Sequence, residues 1–92
     1  MYNVELSRQS QKDLVNLKQA GLLMAARELV EIIKENPFQI PPPYEKLVGN
    51  LAGKYSRRIN IKHRLVYSVL EEEKTIVILR MWSHYELCHL FG

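Results

Sequence analysis

All four prolines of this chain fall between Pro37 and Pro43. Proline lacks an amide hydrogen and fixes φ, so this stretch can be neither helix interior nor central strand. It divides the chain into two halves with different periodicity. Before it, apolar residues recur at helical spacing: Leu14 and Leu17, then Leu22, Ala26, Leu29, Val30 and Ile33, with Arg27, Glu28, Glu31 and Lys34 on the opposite side. After it, the pattern is that of strands. The reading is a helical half followed by a β half, joined by a stiff connector that presents Tyr44 and Glu45.

Element boundaries follow from local chemistry. Tyr2–Leu6 alternates apolar and polar and reads as a short strand. Ser7 or Ser10 can cap the first helix, and Ser10 with Asp13 resembles a capping box. Gly21 is a helix stop, since it adopts the left-handed conformation at low cost. Asn36-Pro37 ends the second helix, because the residue before proline avoids the helical region. The three consecutive prolines, Pro41 to Pro43, favour an extended connector. Gly49 and Gly53 punctuate a compact turn around Asn50 and Leu51. Tyr55–Ile61 and Arg64–Leu70 read as strands, Glu71–Lys74 as a charged hairpin turn, and Thr75–Ser83 as a strand with the apolar run Ile76-Val77-Ile78-Leu79 of a central position. The order is β-α-α-β-β-β. The expected fold is a two-layer α+β domain over residues 1–92, a helical hairpin on a four-stranded, mainly antiparallel sheet, with 86–92 as a tail.

Ninety-two residues fit one small domain, too short for a cofactor domain plus a substrate domain. A hydrophobic fraction of 47% and a charged fraction of 25% argue for a folded chain. The longest apolar run is too short for a membrane span, and Met1–Glu5 lacks the basic start of a signal peptide. Cys88 is the single cysteine, so no intrachain disulfide forms, and a reducing cytoplasm is the natural setting. The three histidines and this cysteine do not have zinc-finger spacing, and no metal or cofactor is expected.

The charge is unevenly placed. Residues 1–46 carry six basic and six acidic side chains, whereas 47–92 carry seven and four, which is the whole net charge of +3. Lys54, Arg57, Arg58, Lys62 and Arg64 lie within eleven residues without an acid. Such a patch attracts polyanions, nucleic acid foremost. A solvated basic strand pair is the plain alternative.

The stretch Glu45-Lys46-Leu47-Val48-Gly49-Asn50-Leu51-Ala52-Gly53-Lys54-Tyr55-Ser56-Arg57-Arg58-Ile59-Asn60, followed by Ile61-Lys62-His63-Arg64-Leu65-Val66-Tyr67 and by His84-Tyr85, resembles the Txe/YoeB family of bacterial toxins within the RelE-like superfamily. The likeness is dense from Pro43 to Tyr67. It implies a cytoplasmic endoribonuclease that cuts messenger RNA in the ribosomal A site without a metal. It also implies a cognate antitoxin, YefM/Phd-like or of another type with a DNA-binding part, a complex that represses its own operon, and a homodimer.

The resemblance also implies roles. Glu45 matches the glutamate that takes the 2′-hydroxyl proton. Arg64 matches the arginine that stabilises the charged phosphorane, a task its fork suits. His84 matches the histidine that protonates the leaving 5′-oxygen. Tyr85 matches a tyrosine that orients the phosphate or stacks on a base. Lys46, Lys54, Arg57, Arg58 and Lys62 would hold the RNA backbone. The chain departs from the family pattern at Val48, often lysine, and at Lys62, often acidic.

Taken alone, each residue has a plainer reading. Glu45 reads as a solvated loop residue and His84 as structural. Arg64 reads as a surface partner of Glu5 or Glu71, worth under about 1 kcal/mol. Tyr67 and Trp82 read as core, Tyr44 and Tyr55 as core or stacking platform, His63 as locally bonded, His89 as surface and Cys88 as packing. Two other function classes stay open: a ParE-like toxin, which resembles this layout and inhibits DNA gyrase by protein binding, and a non-catalytic RNA-binding or regulatory module whose basic strands bind without cutting.

Overall fold

A computed structural model describes residues 1–84, the last two as backbone. Tyr85, Cys88, His89 and the tail 86–92 lie outside the described residues. The elements are β1 (Asn3–Leu6), α1 (Arg8–Gln19), α2 (Leu23–Glu35), β2 (Glu45–Lys46), a 3-10 turn (Gly49–Leu51), β3 (Lys54–Arg58), β4 (His63–Leu70) and β5 (Thr75–His84).

Ser7 is the helix cap: its hydroxyl accepts from the Ser10 amide at 3.0 Å. Ser10 sits inside the first turn, where its hydroxyl donates back to the Ser7 carbonyl. Gly21 has φ of +74° and follows Ala20, the C-cap of α1, as a left-handed stop requires. Helix α2 ends at Asn36, ahead of Pro37. The proline segment is bent at 40–42 rather than extended. Its course is set by a buried side chain described below.

The sheet has five strands, ordered β1-β5-β4-β3-β2, one more than the four expected. The additional strand is β2, whose residues pair antiparallel with β3 as Glu45↔Ser56 and Lys46↔Tyr55. Two residues are too few to show alternation in a sequence. Pairing is antiparallel throughout β2-β3-β4-β5, and β1 joins the far edge parallel to β5. This is the two-layer α+β class read from the sequence.

The core fills the space between helices and sheet. Leu17, Ala26, Leu29 and Ile33 from the helices meet Leu65, Tyr67, Ile76, Ile78 and Met81 from β4 and β5. The opposite face of the sheet carries a smaller cluster, Leu47 with Val66, closed by Leu51 and Leu79. Here the 3-10 turn lies on the sheet. Gly53, with φ of +89°, leads the chain from that turn into β3.

One buried acid ties the layers together. Asp13, on α1, is 1% exposed. Its Oδ2 accepts from the Met81 amide at 2.9 Å, the Trp82 amide at 3.2 Å and Arg80 Nε at 3.0 Å. The register between β4 and β5 slips in this region, between Arg64 and Tyr67 on β4. A slipped ladder leaves strand amides unmatched, and the carboxylate takes two of them. Burial pushes the Asp13 carboxyl up, but the Met81 amide, Arg80 and Gln9 outweigh it and hold it below the usual range. Because its folded value is depressed, its stabilisation is full above the unfolded value, about 3.9, and is lost as pH falls through the folded value. Asp13→Ala is therefore expected to cost about 2–4 kcal/mol in urea unfolding at pH 7. It is also expected to flatten the loss of stability below about pH 4. An unchanged acid limb in the variant would contradict this assignment.

Candidate active site

Strand alternation sorts the basic segment. Neighbours along a strand face opposite sides, and directly paired residues share a side. Arg58 pairs with Arg64, and Ser56 pairs with both Glu45 and Val66. Glu45, Ser56, Arg58 and Arg64 thus lie on the sheet face away from the helices. Tyr55, Arg57, Leu65 and Tyr67 lie on the helix face.

On the open face, Glu45 and Arg64 meet. Arg64 Nη2 lies 2.8 Å from Glu45 Oε1, and Arg64 Nη1 donates to Ser56 Oγ at 3.3 Å. Arg64 is 4% exposed, while the Glu45 side chain is 46% exposed. The arginine is set into the sheet and the carboxylate stands at its mouth. Pro42, Pro43, Tyr44, Glu45, Arg58 and Arg64 line a cleft of about 380 Å³. Glu45 is the acid that braces Arg64. Glu71 accepts from the Tyr2 hydroxyl and lies near Lys74 instead.

Arg57 is not an RNA contact: it is fully buried. Its Nε donates to the Tyr67 hydroxyl at 3.0 Å, Nη1 to the Pro42 carbonyl at 2.7 Å, and Nη2 to the Pro37 and Gln39 carbonyls at 3.0 Å each. The Tyr67 hydroxyl in turn donates to the Pro37 carbonyl at 2.7 Å. Burial pushes the Tyr67 phenol up, against the pull of Arg57. The proline segment offers carbonyls without matching amides, and one guanidinium gathers three of them. That network shapes the chain leading into Glu45. The signal was in the sequence: Arg57 shares phase with Tyr55 and Ile59, Arg58 with Ser56 and Asn60.

The remaining basic candidates are dispersed. Lys54 is half-buried and in phase with Ser56; Lys46 is exposed and out of phase with Glu45; Lys62 is exposed in the turn between β3 and β4. That turn is organised by Asn60, whose side chain accepts from the Lys62 and His63 amides. His63 stacks on Trp82 with centroids 3.8 Å apart and rings within 15°. Tyr67 is core, and Trp82 packs against the core. The backbone of His84 ends β5 opposite His63, one residue from the Arg64↔Ser83 pair. Among the described residues, no three His, Cys, Asp or Glu side chains converge as metal ligands would. No helix among them is long and apolar enough to cross a membrane.

Two helices packed on a five-stranded mixed sheet match the YoeB/RelE-like α+β fold. Residues 7–85 match the family described as the YoeB-like toxin of bacterial type II toxin–antitoxin systems. The chain belongs to that family. It is 38% identical over 65 residues to Toxin YoeB of Synechocystis, a match spanning 71% of this chain and 73% of that protein. It is 40% identical over 53 residues to Toxin YoeB of Escherichia coli, spanning 58% and 63%. In structure it is similar to the toxin of the YoeB–YefM complex from Staphylococcus aureus, with TM-score 0.76 and 35% identity over 92% of this chain and 99% of that one. It is also similar to a YoeB/ParE toxin from Agrobacterium tumefaciens, with TM-score 0.81 and 27% identity over 90% and 99%. A YoeB dimer from Staphylococcus aureus is likewise similar, with TM-score 0.77 and 36% identity over 91% of this chain and 98% of that one.

Proposed function

We propose that this toxin is a metal-independent endoribonuclease that cuts messenger RNA in the ribosomal A site. The observation that carries the reading is the Glu45–Arg64 contact of 2.8 Å at the mouth of a cleft shared with Arg58. Cleavage of RNA by its own 2′-hydroxyl needs a base, an anion-binding group and an acid. Glu45, accessible at the cleft mouth, accepts the 2′-hydroxyl proton. The freed oxygen attacks the adjacent phosphorus, the O2′–P bond forms, and the P–O5′ bond breaks to leave a 2′,3′-cyclic phosphate. Arg64 holds the phosphate oxygens as their charge builds, and Arg58 adds a second cation. His84, at the end of the neighbouring strand, supplies the proton to the 5′-oxygen, and Tyr85 orients the phosphate. Lys46, Lys54 and Lys62 contact the RNA backbone at the periphery.

A basic cleft of this kind is silenced by an acidic segment that folds over it. A cognate antitoxin covering the Glu45, Arg64 and His84 region follows, as does a homodimer, on the pattern of the Staphylococcus aureus relatives.

The test is messenger RNA cleavage on programmed ribosomes, mapped by primer extension, with free RNA as control. Wild type is expected to cut only on ribosomes. Glu45→Ala and His84→Ala are expected to slow the cut by about 10²–10⁴-fold each. Intact message with wild-type protein, alongside continued toxicity in cells, would reject the nuclease reading in favour of a protein target such as gyrase.

A further inference from the structure

The cleft has two unlike sides. Glu45, Arg58 and Arg64 form a charged side, and Pro42, Pro43 and Tyr44 an apolar one. Phosphate chemistry uses the first and has no need of the second. Yet the apolar side is the more firmly built. Arg57, buried beneath it, donates to the Pro37, Gln39 and Pro42 carbonyls. The same guanidinium lies 5.0 Å from the centroid of the Tyr44 ring. Tyr44 also packs on Phe38 and Tyr55, with centroids 6.1 and 5.8 Å away. The wall is thus held by hydrogen bonds, a cation–π contact and ring packing before any ligand arrives.

A flat, apolar, pre-organised surface beside two phosphate-binding arginines matches the two unlike parts of a nucleotide. We propose that the Pro42–Pro43–Tyr44 wall is a nucleobase subsite, taking the base of the nucleotide whose phosphate lies on Arg58 and Arg64. The assignment rests on the ribonuclease reading above. The cleft volume of about 380 Å³ lies at the small end of the range for small-molecule pockets and suits one nucleotide rather than a run. Because the wall has little freedom to lose, binding a base there orders little that is not already ordered. Contact with a π face tolerates every base, so the wall sets where the nucleotide lies and not which codon is cut.

The experiment is titration of the intact protein with an uncleavable dinucleotide, its attacking 2′-oxygen methylated, with two abasic versions each lacking one base, and with inorganic phosphate. Wild type is expected to bind the full dinucleotide about 10-fold more tightly than one of the abasic versions. Tyr44→Leu should erase that difference and Tyr44→Phe should keep it, while inorganic phosphate binds all three proteins alike. Should Tyr44→Leu fail to fold, Pro43→Ala gives the second reading, with the same narrowing expected. Equal binding of the three dinucleotides by wild type overturns the subsite and spares the nuclease assignment. No binding of any dinucleotide or of phosphate overturns a subsite built into the free protein, while the nuclease assignment stands or falls by the ribosome cleavage assay.

Discussion

Arg64→Ala is expected to slow message cleavage on the ribosome by about 10²–10³-fold, the range for losing one preorganised donor to a charged transition state. Arg64 is embedded in β4, 2.8 Å from Glu45 and 3.3 Å from Ser56 Oγ. Its position is therefore fixed before RNA binds, and little reorganisation accompanies the chemical step. The variant loses that fixed charge and also the group that orients Glu45, so base and anion binder fail together. Arg64→Lys keeps a charge but not the fork, and it should recover only part of the rate. Single-turnover rates on programmed ribosomes measure this. The assignment fails if Arg64→Ala cuts within a few-fold of wild type.

The adjacent arginines should behave in opposite ways. Arg57→Met is expected to lower stability by about 3 kcal/mol or more, since it strands the Gln39 and Pro42 carbonyls and leaves the Pro37 carbonyl with the Tyr67 hydroxyl in place of two donors. Methionine fills much of the volume, so the loss reports hydrogen bonds more than a cavity. Arg58→Ala, on the exposed side of the same strand, should stay within about 0.5 kcal/mol of wild type. That variant should instead weaken RNA binding and reduce its salt dependence. Paired urea unfolding curves decide the matter: equal destabilisation by both substitutions would refute the division of labour.

The two arginines show what a sequence of this kind discloses. Helices, their stops at Gly21 and Asn36-Pro37, and the four longer strands follow from short-range periodicity and turn chemistry, and the structure agrees with them. The placement of Glu45 beside Arg64 was legible only through resemblance, because 19 residues separate them and β2 is too brief to carry a pattern. Five basic residues in a short span look like one patch, which masks the separate role of Arg57. The alternation that groups it with Tyr55 and Ile59, apart from Arg58, is the weaker signal. Asp13 carries only the local look of a capping box with Ser10, which the structure does not form; its partners are the amides of Met81 and Trp82, 68 and 69 residues away.

The order β1-β5-β4-β3-β2 has a bearing on synthesis. The cleft residues, 42 to 64, leave the ribosome before β5 does, yet β5 is the strand that both β1 and β4 pair with. Until residues 75–84 emerge, β1 has no neighbour to join and Asp13 has no strand amides to hold. A chain still threaded in the exit tunnel at that stage cannot close its sheet. A toxin of this topology is thereby kept from maturing until most of its own message has been read.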